Sequence, residues 1–168
     1  MTNTIQVRRG ANASLPTLNA GELGFSTDTK DLYIGDGVAN HKIVTDRVVV
    51  VKVIADDTVL TTGDGKTHFT IPIELNGMNL VSVGAHVYTV SSSGLPTFMI
   101  HNLTDTADML STAITIDASE YDSKDATTAA VINTATDDVV TGDVLRFDCD
   151  TAGTGTKGME IRLGFKTP

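Results

Sequence analysis

The sequence has no tryptophan, one cysteine and four prolines in 168 residues. The lone Cys149 excludes an intramolecular disulfide and a cysteine-built zinc site. Aromatic residues make up 5% of the chain, so a stacking platform for sugars or bases has few side chains to draw on. Basic residues are sparse as well. Twelve Lys and Arg stand against 21 Asp and Glu, for a formal net charge of -9. A surface of that sign repels phosphate backbones and argues against nucleic acid as a partner. The longest apolar run, Val48-Val49-Val50-Val51, stops at Lys52. It is too short to span a bilayer, so no membrane partner is expected. Met1-Thr2-Asn3-Thr4 lacks the basic-then-apolar order of a secretion signal, and synthesis in a cytoplasm is the expectation.

What is present favours strands and turns. Seventeen of the 21 acids are Asp, a turn former and a poor helix former. Threonine occurs 26 times, often beside Val and Ile. The predicted fold class is all-β, in two unequal parts: an arm over residues 1–44 and, after a connecting segment at 45–60, a β-sandwich or jelly roll over 61–168. In the arm, Ile5 to Arg9 alternates like a strand. Leu23 and Phe25 share one face of a second strand, and Leu32 and Ile34 one face of a third. Asp28-Thr29-Lys30-Asp31 is the turn between them, and Gly35-Asp36-Gly37 ends the hairpin. A lone hairpin is marginal in water, and this one is poor in apolar groups, so it must dock onto something.

In the second part, Val48 to Ala55 is a strand or a packed linker, and Thr61 to Lys66 is a turn. Strands are predicted at 68–73, 80–90, 97–101, 113–117, 139–140, 144–148 and 159–165. Ile161, Leu163 and Phe165 form a dry face against Glu160, Arg162 and Gly164. Lys124 to Asn133 is either a short helix or a strand of small residues.

The sequence offers little chemistry. His41, His68, His86 and His101 are scattered, with no second histidine at i+2 or i+4, so neither a metal site nor a cofactor is expected. Cys149 lies between Asp148 and Asp150, which raise a thiol pKa rather than lower it. Gly153 to Gly158 lacks the Gly-Lys-Ser/Thr ending of a phosphate loop. Asp56, Asp57 and Asp64 do not have calcium-loop spacing. Carboxylate pairs without an aromatic groove do not suggest glycoside hydrolysis. No enzyme is expected. Arg8-Arg9, the adjacent basic pair in an acidic chain, suits ion pairing with an acidic partner surface.

The stretches Ile5 to Gly10, Leu15 to Leu18, Ala20 to Phe25, Thr27 to Lys30 and Leu32 to Gly37 together resemble a module found at the start of tail fibres, head fibres and capsid-associated proteins of tailed bacteriophages. Thr62 to Gly65 leading to Phe69 and Pro72, with the closing Lys157 to Ile161, is similar to jelly-roll domains of phage appendage proteins. The resemblance implies a virion protein and a homotrimer. Around a threefold axis the arms would bury Leu23, Phe25, Leu32, Tyr33 and Ile34, while Arg8 and Arg9 would meet the major capsid protein or another virion structural protein. The short reach between the two parts suits a capsid decoration (cement) protein that staples capsomer joints. The alternative is a short tail fibre or receptor-binding spike that recognises a host surface glycan. In that case an exposed polar-aromatic patch is required, and Tyr88 and Tyr121 are the only tyrosines the second part has for it, which counts against this alternative.

Overall fold

The computed structural model describes residues 7–43 and 46–168. Its regular elements are strands and three short 3-10 turns, so the chain is all-β. It divides into two units, with the boundary between Thr45 and Asp46.

The first unit is a four-stranded sheet of β1 (Arg8–Gly10), β2 (Leu23–Ser26), β3 (Leu32–Gly35) and β4 (Asn40–Ile43), in that order. Ile5 and Gln6, read above as part of the first strand, lie outside the described residues. The expected hairpin is β2 and β3, paired antiparallel. Two strands extend it: β1 joins parallel to β2, and β4 pairs antiparallel with β3. Gly35-Asp36-Gly37 therefore opens a second hairpin instead of ending the first. The Asp36 carboxylate accepts the backbone N–H groups of Val38 and Ala39 at 2.7 Å each, and Gly37 takes a φ of 90° that suits glycine. The first turn is capped similarly. Asp28 accepts from the N–H groups of Asn12 and Thr29 and from the Ser26 hydroxyl. That last bond, with the others, holds the Asp28 carboxyl down to about 2.

Among the described residues of this unit, Leu18 is the one apolar side chain that is fully buried. It lies flat on two strand glycines. A Cβ on Gly24 would stand 2.8 Å from a Leu18 methyl, and one on Gly35 would come within 2.4 Å of the Leu18 Cβ. The Leu18 N–H donates to Asn40 Oδ1 at 2.8 Å, and the Leu18 carbonyl accepts from the Gly37 N–H at 3.2 Å. The chain before β2 is thereby pinned over one face of the sheet.

The second unit contains β5 (Arg47–Val59), β6 (Gly63–Thr70), β7 (Met78–Thr89), β8 (Thr97–Asn102), β9 (Ala107–Asp108), β10 (Leu110–Thr112), β11 (Ile114–Thr115), β12 (Val131–Ile132), β13 (Asp138–Val139), β14 (Val144–Thr151) and β15 (Lys157–Lys166). One sheet has the order β13-β7-β15-β5. Another runs β11-β8-β14-β6, with β9 beside β8, and β10 pairs with β12. The two larger sheets feed one hydrophobic cluster. Met159, Ile161, Leu163 and Phe165 of β15 are fully buried in it, together with Phe98 and Ile100 of β8 and Leu145 and Phe147 of β14. Each such side chain contributes about 1.5–3 kcal/mol by leaving water.

Three stretches either differ from the sequence reading or decide between its alternatives, as at Val48 to Ala55, where the strand is the outcome. Gly63 to Lys66, expected as a turn, belongs to β6. Its glycines sit at φ 131° and 65° where the β14 register shifts, and the Gly65 N–H donates to Asp148 Oδ1 at 2.8 Å. Glycines that signal a turn here make a bulge inside a strand. The stretch read as a connecting segment, 45–60, supplies the 13-residue β5, with Val51 and Val53 buried and Val48 and Val50 exposed; residue 45 lies outside the described residues. Lys124 to Asn133 is neither one helix nor one strand: a 3-10 turn over Ser123–Asp125 leads through irregular chain to β12.

Gly35→Ala is expected to destabilise the first unit by about 1–3 kcal/mol or more, because the added methyl overlaps backbone oxygens of Leu18 and Asn19 that cannot yield cheaply. Amide hydrogen exchange over 18–43 reads that loss directly, and protection equal to the wild type would count against the glycine floor.

Candidate functional site

The residues expected to form an interface are distributed over both faces of the first sheet. Leu23 pairs with Ile34, Phe25 with Leu32, and Leu32 with Ile43, so these five side chains share one face. Arg9, in register with Phe25, joins them. Leu23, Phe25 and Leu32 are half-buried, and Ile34 and Ile43 are each 39% exposed. Tyr33 pairs with Gly24 and Lys42 and points to the opposite face, the one Leu18 covers. Tyr33 was grouped above with Ile34; the two-residue period of a strand separates them. Arg8 lies on the face of Tyr33 and forms an ion pair with Glu22 of its own chain at 2.5 Å. The Asn19 N–H, followed by Arg8, keeps the Glu22 carboxyl below its usual range. Arg9 has no ion-pair partner among the described residues. The two arginines are therefore not equivalent: Arg8 fastens the arm to itself, and Arg9 borders the open apolar face.

The second unit carries a polar-aromatic patch on the solvent face of β7 and β15. The β15 residues Met159, Ile161 and Leu163 point into the core, so Glu160 and Arg162 point out. Register places Glu160 between Lys52 and His86, and Arg162 between Val50 and Gly84. Tyr88 donates to Glu160 at 2.7 Å, and the Lys52 ammonium lies 3.9 Å from the centre of the Tyr88 ring. That geometry is a cation–π contact. Lys52 also donates to Asp56 at 2.6 Å; that bond first, and Tyr88 next, raise the Lys52 pKa.

Tyr121 arrives at this patch through the backbone. The Val87 N–H donates to the Tyr121 carbonyl at 2.9 Å, and the Ala85 N–H to the Ser123 hydroxyl at 2.8 Å. The 121–123 segment thus runs along β7 like an added strand, with His86 bridged to Asp122. The His86 ring contacts both tyrosines. It meets Tyr88 edge to face at 5.4 Å and stacks with Tyr121 at 6.1 Å and 19°. Tyr88 is 40% exposed and Tyr121 53%. Asp122 is the anchor. It accepts from Arg162 Nη2 at 2.8 Å on each oxygen, takes the Lys124 N–H at 3.0 Å, and lies 3.5 Å from His86 Nδ1. Burial pushes the Asp122 carboxyl up, but the Lys124 N–H and the Arg162 guanidinium outweigh it, and the pKa lies below the usual range.

None of Lys52, His86, Asp122 and Arg162 was singled out as a site residue from sequence. The signal for Arg162 was its place on the wet face of a strand. For the others there was none, because Tyr88 and Tyr121 are brought together by hydrogen bonds of the main chain. The remaining candidates behave as ordinary structure. His41 and His101 join Asp36 and Asp108 at 2.7 and 2.6 Å, pairings beyond the local spacings considered above. Asp56 and Asp64 face Lys52 and Arg146. Burial pushes the Cys149 thiol up to about 11. Among the described residues no group of three or more His, Cys, Asp or Glu side chains could hold a metal ion, and no helix is long and apolar enough to cross a membrane.

Residues 5–39 match the family described as the major tropism determinant N-terminal domain. This stretch lies within the first unit and ends just before β4, and the match is consistent with a virion-associated protein. No curated protein and no solved structure matches the chain.

The Asp122 contacts make a pH prediction. A carboxyl with a lowered folded pKa adds stability that is present above its unfolded value and is lost as pH falls through the folded one. The stability advantage of the wild type over Asp122→Asn is therefore expected at pH 7 and should shrink as the medium is acidified below about pH 4. Urea unfolding of both proteins from pH 7 to 3 measures it. A gap that does not change with pH would remove the charge from the explanation.

Proposed function

We propose that this chain is a non-enzymatic virion protein that recognises the host surface, with the first unit attaching it to the particle and the second unit binding the receptor. The observation that carries this reading is the exposed Tyr88–His86–Tyr121 patch, the feature a receptor binder needs and a capsid staple does not. The family match supports it, because that family takes its name from a tropism determinant. The capsid-decoration reading has no comparable support in the second unit. In the proposed assembly the chain is a homotrimer, and the open face of Leu23, Phe25, Leu32, Ile34 and Ile43 is what the copies cover. Burying those side chains would supply the apolar contacts that a unit with one fully buried leucine lacks. Arg9, at the border of that face, is placed to meet an acidic group of a neighbouring virion protein.

Two measurements test the reading. Free protein added to host cells should compete with adsorption of the phage that carries it, and the particle should hold it in a few copies at the tail. Absence of competition together with a copy number matching the capsid's local threefold positions would replace this reading with capsid decoration. Separately, Phe25→Asp should convert a trimer to a single chain in sedimentation experiments, with the strand content of the second unit kept. A wild-type protein that sediments as one chain would remove the trimer.

A further inference from the structure

Beside the aromatic patch, on the same solvent face of β7 and β15, lies a cavity of about 430 Å³. Its floor is made where two outward strand positions are glycine, Gly84 and Gly164, and Ser82, Ser123, Lys124 and Arg162 stand around it. Neither glycine has a positive φ, so backbone conformation does not require it. Glycine inside a strand weakens the strand, and it commonly marks a place where another group comes close to the backbone. At Gly84 a Cβ would meet the Arg162 guanidinium at 3.1 Å, and at Gly164 it would meet the Ser82 hydroxyl.

The charge of this cavity is opposite to that of the chain. Twelve basic residues face 21 acids in the sequence. The cavity wall contains two basic residues, Lys124 and Arg162, and no carboxylate. Arg162 is held in place by Asp122: Nη2 is committed to that carboxylate, while Nε and Nη1 have no hydrogen-bond acceptor among the described residues. Lys124 is 73% exposed at its side chain and is 3.7 Å from Asp125, too far for a hydrogen bond. An oriented guanidinium with free donors and a mobile ammonium together suit a carboxylate or phosphate. Arg162 and Glu160 are two residues apart on β15, so the cavity and the row of Lys52, Glu160 and His86 are roughly 7 Å apart along the strand, with Tyr88 one row further on. One ligand can touch both.

We infer that this cavity and the neighbouring tyrosines form the receptor site, and that its ligand is an acidic saccharide. The anionic group sits between Arg162 and Lys124, the Ser82 and Ser123 hydroxyls face the sugar hydroxyls, and the apolar face of a sugar ring lies on Tyr121. The assignment rests on the receptor-binding reading and gives its ligand a chemistry. The shared feature is a fixed negative charge on a carbohydrate, as a uronate or sialate carboxylate or as the phosphate of a polyol-phosphate polymer.

The experiment is binding of the full-length protein to immobilised 3′-sialyllactose, oligogalacturonate and ribitol-phosphate polymer, with lactose and maltotriose as neutral counterparts. Binding to at least one acidic probe and not to the neutral ones is expected, and the probe that binds separates carboxylate from phosphate. Lys124→Gln should weaken it roughly tenfold or more, the value of a lost charge-assisted hydrogen bond. Lys66→Gln makes the same change of net charge on the other sheet and should leave affinity unchanged. Tyr121→Ala should also weaken binding, and circular dichroism and urea unfolding of both variants verify that they fold. Equal loss from Lys66→Gln and Lys124→Gln would overturn the site, as would binding to neutral probes alone or to none. Competition with adsorption without binding to any acidic probe would leave receptor recognition standing and assign it to another ligand, such as a protein.

Discussion

The first unit depends on one leucine lying where strand side chains would otherwise stand. Leu18 reaches the backbone of β2 and β3 because Gly24 and Gly35 have no Cβ to keep it away. Its N–H and carbonyl are tied to Asn40 and Gly37, so the loop that carries it is fixed at both polar groups as well as by its side chain. The consequence is asymmetry. One face of the sheet is covered by the chain's own loop, and the other presents Leu23, Phe25, Leu32, Ile34 and Ile43. A sheet of this size with one covered leucine has little hydrophobic stabilisation of its own. Its turns make up part of the difference: Asp36 accepts two backbone N–H groups of its own tight turn, and Asp28 accepts one from its turn, Thr29, and one from Asn12 in the preceding loop.

The second unit solves the opposite problem. Its core is ample, and the interest lies in what the strands turn outward. Alternation on β15 fixes the arrangement: four large apolar side chains inward, and Glu160, Arg162 and Gly164 outward in consecutive rows. Each outward residue is then given neighbours by register alone. Lys52 and His86 flank Glu160, Val50 and Gly84 flank Arg162, and Val48 and Ser82 flank Gly164. A row with large side chains becomes a ridge and a row with glycine becomes a hollow. The ridge and the hollow are thus two readings of the same two-residue period.

Much of this was legible in the sequence, and what was not has identifiable causes. Period-2 alternation located β7, β8, β14 and β15 to within a few residues, because those strands are dry on one side and wet on the other. It also placed Leu23 with Phe25 and Leu32 with Ile34. Tyr33 entered the interface set through the threefold packing that the resemblance implies, not through alternation, and its odd position relative to Ile34 puts it on the other face. Glycine was the main source of error. Gly63-Asp64-Gly65 has turn chemistry but forms a bulge in β6, since a left-handed residue in a strand and one in a turn look alike without the partner strand. Gly84 and Gly164 drew no notice as a pair, since only the register of β7 and β15 sets them side by side. The union of Tyr88 with Tyr121 was illegible for a related reason. The Val87 N–H bonded to the Tyr121 carbonyl uses groups every residue has, so no side-chain pattern announces it.

The electrostatics of the patch bear on how a chain with so large an acidic excess would hold the proposed anion. Charges on an exposed surface are screened over roughly 8 Å at physiological ionic strength. A ligand at Arg162 and Lys124 therefore responds to its immediate surroundings more than to the net charge. Two carboxylates adjoin this pair: Asp125 lies 3.7 Å from the Lys124 ammonium, and both Asp122 oxygens are already occupied by Arg162 Nη2. The Asp122 charge is neutralised locally, and what Asp122 contributes is direction: it fixes Nη2 and with it the guanidinium at the cavity wall. Replacing Asp122 by a neutral residue would free Arg162 of its counter-charge and also of its orientation. Whether affinity rises or falls in that variant distinguishes attraction by net charge from recognition by placed donors, and the geometry here favours the placed donors.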